Sequence, residues 1–223
     1  KIASREEDED TRWLGQRVRG AGTVVMLTTE DDKDELWRRA HTLDPDGRRF
    51  KAGKRLIVMP TLNSGGGFTM AERAKDGRTV PSRDWAELLA QLEMIPDLKL
   101  VVIDTLNSTL HGEENSATII NEYVRMIHPI CGKLGAALLL THHIRKQNNQ
   151  AGGQNRPIAS QEDMFNAIRG SSALPAAFRV VLGLWHSHDF GKRMRALGVE
   201  PKAKHLWRFG VLKANNPEMM DDM

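Results

Sequence analysis

The run Leu98-Lys99-Leu100-Val101-Val102-Ile103-Asp104-Thr105 constrains the fold most. It is short and aliphatic, it follows Pro96, and a carboxylate closes it. Such a run reads as a buried parallel strand with Asp104 at its C-terminal end. In open α/β sheets, ligands bind just outside those carboxyl ends. Asp104 is therefore placed to hold a Mg²⁺ ion, or its waters, beside a nucleotide phosphate. The same position also suits an Asp that only starts a loop or helix.

The remaining chain supplies similar strands. Gly22 to Thr29 is a β-branched run followed by Glu30-Asp31-Asp32, acids that suit a helix start; Leu36, Ala40 and Leu43 then recur at helical spacing. Leu56 to Met59 forms a second short strand that ends at Pro60. Asn63 to Gly67 is Gly-rich but lacks a following Gly-Lys-Ser/Thr, and reads as a mobile loop. Pro81-Ser82 precedes an amphipathic helix bearing Trp85, Leu88, Leu89, Leu92 and Ile95, with Ser82 or Asp84 as its cap. Ile119, Ile120, Tyr123, Val124, Ile127 and Cys131 mark the apolar side of a later helix, in which Pro129 predicts a kink.

Gly135 then leads into a buried strand, Ala136 to Thr141, ending in His142-His143. Residues 145–168 are polar and aperiodic, the pattern of a functional loop. Strands at Arg179 to Trp185 and Leu206 to Lys213 flank a basic, mobile insert at 186–205. The charged start, residues 1–12, reads as a frayed helix end or a trimmed loop. Alternation of aliphatic strands with helical segments predicts a mostly parallel sheet covered by helices.

Composition narrows the class. At 223 residues the chain can bury one sizeable core. A net charge of +3 is too mild to signal nucleic-acid binding without a local basic cluster. The lone Cys131 excludes an internal disulfide and fits a reducing, cytoplasmic setting. No apolar run suggests a membrane span. His142-His143 and His186-x-His188 lack partners at zinc spacing.

Three strand ends carry polar chemistry: Glu30, Asp104 and His142. Parallel strands share one C-terminal edge, so these residues can converge on a single crevice. There an Asp can hold a metal, a Glu can orient or deprotonate water, and a His can sense a γ-phosphate. Taken singly, Glu30 also reads as a helix-start acid and His142 as a core-edge imidazole.

Several pieces together resemble the RepA-like hexameric replicative helicases of the RecA/DnaB superfamily. They are Thr29-Glu30-Asp31 with Arg39 and His41, Val101 to Leu106, His111 to Ser116, and Leu139 to His143. Arg169-Gly170-Ser171-Ser172 and Arg208 to Asn215 complete the set. Their order and spacing hold over roughly residues 23–216.

The resemblance implies a single RecA-like P-loop NTPase domain over 1–223, with a mostly parallel sheet, flanking helices and an antiparallel C-terminal strand. It implies ATP and Mg²⁺ as cofactors, with Glu30 as the catalytic glutamate, Asp104 as the Walker B metal ligand and Thr105 beside it. His142 matches the sensor position. Arg145, Lys146 and Arg156 occupy the place of a loop that grips single-stranded DNA. Arg169 and Lys213 match cations that reach a neighbour's γ-phosphate across a hexameric ring. Arg169 also reads as a loop cap, and Lys213 sits in Lys-Ala-Asn where Lys-x-Arg is expected.

No Gly-x-x-x-x-Gly-Lys-Ser/Thr occurs in the 223 residues; the sequence reads as a truncated piece or as a degenerate member that binds nucleotide poorly. The expected function is an ATP-dependent DNA helicase or translocase core. A RecA-fold ATPase that loads or regulates without unwinding, and an ATPase-inactive DNA-binding scaffold, stay open.

Overall fold

A computed structural model of the chain describes residues 2–3, 10–13, 16–18, 20–51, 55–64, 68–110, 115–144, 158–186, 190–200 and 207–215. In chain order they form strands β1 (Arg12–Trp13), β2 (Gln16–Arg17) and β3 (Thr23–Thr28), then helices α1 (Lys33–Leu43) and α2 (Arg48–Lys51). Strands β4 (Leu56–Pro60), β5 (Ala71–Arg73) and β6 (Thr79–Pro81) precede helix α3 (Arg83–Glu93). Strand β7 (Leu98–Asp104), helices α4 (Leu106–Thr109) and α5 (Ala117–Gly132) and strand β8 (Ala137–Leu140) follow. Helices α6 (Gln161–Asn166) and α7 (Ala173–Ala177), strand β9 (Val180–His186), helix α8 (Phe190–Ala196) and strand β10 (Trp207–Ala214) complete the order. The chain divides into two compact units, Lys1–Glu113 with Glu122–His142, and Glu114–Asn121 with His143–Met223.

The first unit is built on a four-stranded parallel sheet of order β4-β3-β7-β8. The β-branched and aliphatic residues of β3 and β7 suit the two central positions, and Val25, Leu27, Val101 and Ile103 are buried there. Register sets Thr28 opposite both Pro60 and Asp104, and Ile103 opposite Leu140. All four strands therefore end at one level, as the sequence predicts. The fourth strand is not the fully buried one expected: β8 pairs only with β7 among the described residues and leaves Ala137 and Leu139 exposed.

Helix α3 follows its sequence signals. The Ser82 hydroxyl caps it by accepting from Trp85 N at 3.1 Å, and Trp85, Leu88 and Leu92 are buried. Helix α5 runs through Pro129 to Gly132 and buries Ile120, Tyr123, Met126, Ile127 and Ile130. Cys131 lies off the end of that stripe and is exposed, against expectation. Helix α1 forms where its spacing predicts but buries none of its residues. Its order comes from charge instead: Asp32 accepts from Glu35 N, and Glu35 binds Arg38 and Arg39. The Arg38 and Arg39 guanidinium groups hold the Glu35 carboxyl down to about 2, so it stays ionised through the mildly acidic and neutral range.

Tyr123 is the chain's single tyrosine. It is fully buried, and its phenol shares a 2.7 Å bond with Thr109 Oγ1 and lies 3.1 Å from Met70 Sδ. Burial pushes the phenol above its ordinary value. A group raised in the fold contributes stability that is whole below the unfolded pKa, about 10, and is lost as pH climbs beyond it. An alkaline absorbance titration is thus expected to show no tyrosinate in the folded protein at pH 10–11, with the band appearing together with loss of the fold. A midpoint near 10 with the fold retained would contradict the burial.

In the second unit β9 and β10 pair antiparallel, with a register shift between Val211 and Lys213. Gly183 and Gly210 face each other across the pair. A Cβ on Gly183 would stand 2.9 Å from Met164 Cγ, so the bare backbone lets α6 close on the strands. Ile158, Met164 and Trp185 form the resulting core, with Ala167 and Leu212 packed on it.

Helix α6 lies inside the segment expected to be an aperiodic loop. Ser160 and Asp163 form a reciprocal capping box that starts it. The basic insert expected at 186–205 likewise contains α8. Residues 4–9 of the charged start lie outside the described residues, and beside them Arg12–Trp13 pairs with Gln16–Arg17 as β1 and β2. The Gly65 to Gly67 part of the Gly-rich stretch lies outside the described residues, whereas Thr61–Ser64 form a 3-10 turn.

Candidate functional site

Each polar residue at the shared strand edge has a threonine as its chain neighbour: Thr29-Glu30, Asp104-Thr105 and Thr141-His142. The fold turns that pattern into a hydrogen-bonded cluster within the first unit. The Thr141 hydroxyl donates to Asp104 Oδ1. The Thr105 hydroxyl donates to Glu30 Oε1 at 3.1 Å and lies 3.2 Å from Ser108 Oγ, which can donate to it in turn.

The backbone here is tied just as closely. The Asp104–Thr105 peptide is cis, and both of its polar groups meet Thr29. Thr29 Oγ1 donates to Asp104 O at 3.0 Å and accepts from Thr105 N at 3.3 Å, while Thr29 N donates to the same carbonyl at 2.7 Å. Leu106 N then donates to Thr141 O at 3.0 Å, linking β7 to the end of β8.

Burial sorts these residues by task. Thr105 and Thr109 are buried, Asp104 and Thr141 are half-buried, and Glu30 is exposed. A buried donor holding an accessible carboxylate fixes its direction without removing it from water. Thr109 donates to the carbonyls of Thr105 (3.1 Å) and Leu106 (3.0 Å), and the Tyr123 phenol meets Thr109 from behind. The floor of the edge is therefore hydrogen-bonded down to α5.

Asp104 suits a cation. One oxygen is oriented by Thr141, and the second takes no hydrogen bond among the described residues. No three of His, Cys, Asp and Glu among the described residues are grouped closely enough to hold a metal by themselves. A single carboxylate at such an edge fits Mg²⁺, which keeps several waters and shares its ligands with phosphate. Glu30, held 3.1 Å from the Thr105 hydroxyl, is an exposed carboxylate at the same edge. His142 follows β8 by two residues and is half-buried.

The other expected site residues belong to the second unit. There the Arg169 backbone N donates to His143 O at 3.3 Å beside the Ile144–Ile168 bridge. Lys213, also in that unit, donates its ammonium to the carbonyls of Pro175 (3.0 Å), Ala176 (2.8 Å) and Phe178 (2.7 Å). Arg145, Lys146 and Arg156 lie outside the described residues.

The sequence assigns no role to Thr29, Ser108 or Thr141, nor to the Arg39–Asp31 pair, at 2.6 Å, which ties α1 back to the residue beside Glu30. A threonine repeated at successive strand ends was the available signal.

A family model described as AAA domain matches residues 5–149. That span includes Glu30, Asp104, Thr105 and His142, and ends before Arg169 and Lys213. No curated protein matches the chain. Among the described residues, no helix is long and apolar enough to cross a membrane.

Proposed function

The chain belongs to the AAA domain family, of the P-loop NTPase superfamily, and from that premise we propose that it is the ATPase core of a ring-forming, RepA-like helicase or translocase acting on single-stranded DNA in replication. The observation that carries the reading is the paired fixation of Glu30 and Asp104 at one sheet edge by the Thr105 and Thr141 hydroxyls. Magnesium-bound ATP, when present, supplies the phosphoanhydride to be cleaved and a cation that spreads its developing charge.

The chain's residues then have separate tasks. Asp104 would hold the cation with the oxygen that Thr141 leaves available. Glu30 orients a water and takes its proton, and Thr105 keeps the carboxylate aimed. His142, at the end of the neighbouring strand, responds to the terminal phosphate. Arg169 and Lys213 are the proposed cations acting across a subunit interface, and Lys213 would first have to leave three carbonyls. We place both compact units in one ATPase core, and assign Arg145, Lys146 and Arg156 to a DNA-gripping loop; cytoplasmic replication is the setting.

The test is Mg²⁺-dependent ATP hydrolysis by the intact protein, measured with and without single-stranded DNA. Hydrolysis stimulated by the DNA is expected. Replacing Arg145, Lys146 and Arg156 together by Ala should remove the stimulation and leave basal turnover in place, since phosphate contacts are lost and no reacting group is. A protein that binds DNA but never hydrolyses ATP would favour the silent scaffold instead. Hydrolysis without displacement of a forked strand would favour a loader or regulator.

A further inference from the structure

We infer that the surface of α1 and α2 carries a stacking platform for single-stranded nucleic acid, built from other residues than the strand-edge site and the 145–156 segment. Trp37 and Phe50 are the most exposed aromatic pair of this region, at 57% and 60%. Their ring centroids lie 5.5 Å apart at an interplanar angle of 49°. The Arg49 guanidinium stands over both, 4.3 Å from the Phe50 centroid and 5.2 Å from that of Trp37.

This arrangement is built, not incidental. Arg49 is only 12% exposed in its side chain and binds Asp44 Oδ2 at 2.9 Å and Asp44 O at 2.8 Å. Asp44 also accepts from the backbone N–H groups of Arg48 and Arg49, both at 2.9 Å. Those N–H bonds, with the Arg49 guanidinium, hold the Asp44 carboxyl below its ordinary range. A locked cation thus holds two aromatic residues that contribute little to the core, each more than half exposed.

The charge around the rings selects the ligand. From Gly47 to Arg55 the sequence has five basic residues and no acid, and the next acid after Asp46 is Glu72. On α1 itself, Arg38 and Arg39 pair with Glu35 and Asp31. Cations beside open aromatic faces match a polyanion that carries flat, unstacked bases. A duplex would offer only its phosphates, because its bases are already stacked. Arg48 and Arg55 would meet the backbone, while Trp37 and Phe50 take bases. The inference does not depend on ATP hydrolysis.

Fluorescence anisotropy of a labelled oligodeoxythymidine with the full 223-residue chain tests it. Trp37→Ala and Phe50→Ala are each expected to weaken binding on the order of tenfold, with Trp37→Phe largely restoring it. An oligonucleotide of abasic sites should bind the wild type about as weakly as oligodeoxythymidine binds Trp37→Ala. Arg48→Ala with Arg55→Ala should lower the salt dependence of binding. Thermal melts of each variant separate lost contact from lost fold. Wild-type affinity in both aromatic variants would overturn the proposal, as would equal loss for normal and abasic strands. Unchanged DNA binding with a sedimentation shift would show instead that a second copy of the chain covers the rings. None of these outcomes alters the ATPase test.

Discussion

Replacing Glu30 with Gln is expected to lower ATP turnover by the intact protein on the order of 10²–10⁴-fold, the usual contribution of a positioned general base. Gln keeps the shape of Glu and still accepts from the Thr105 hydroxyl, which reaches Glu30 Oε1 at 3.1 Å. What it loses is the ability to take a proton. The substitution thus separates chemistry from architecture, and ATP affinity should change little. Steady-state hydrolysis beside binding of a fluorescent ATP analogue reads both quantities on one preparation. Turnover unchanged in the variant would remove Glu30 from the reaction.

Asp104→Asn is the second large effect. The amide oxygen can still accept from Thr141, whose hydroxyl meets Asp104 Oδ1, but the negative charge is gone. A Mg²⁺ ion held by this carboxylate and by phosphates would lose the protein anion that ligates it. Turnover at saturating ATP should fall by about 100-fold or more, and the Mg²⁺ needed for half-maximal rate should rise. A Mg²⁺ titration of hydrolysis checks both. A midpoint equal to that of the wild type would make Asp104 a structural strand end.

The frame around these two carboxylates is legible in the sequence because it depends on local patterns. Aliphatic runs such as Leu98 to Ile103 admit few alternatives to a central strand, and one parallel sheet brings their ends to one level. Ser82 also announces its helix directly. Contacts between strand ends are harder to read. That Thr141 meets Asp104, and Thr105 meets Glu30, follows from register and from backbone turns after each strand, neither of which periodicity encodes.

Short elements escape for a different reason. Helix α6 has 6 residues and β1 has 2, too few to establish a period; only the Ser160–Asp163 box betrays the former. Lys213 shows the opposite limit. Its place in a strand is clear from sequence, yet nothing there reveals that three carbonyls of Pro175, Ala176 and Phe178 already receive its ammonium. Leu36, Ala40 and Leu43 recur at helical spacing, but α1 buries none of its residues. Tertiary context, not propensity, decides which apolar stripe is covered.

A structure of the intact protein with a non-hydrolysable ATP analogue and Mg²⁺ tests the strand-edge assignment most directly. The expected result places the cation against Asp104, directly or through one water, with the terminal phosphate facing Glu30 across a single water. Nucleotide bound away from the C-terminal ends of β3 and β7, with Thr105 and Thr141 still engaging Glu30 and Asp104, would contradict it.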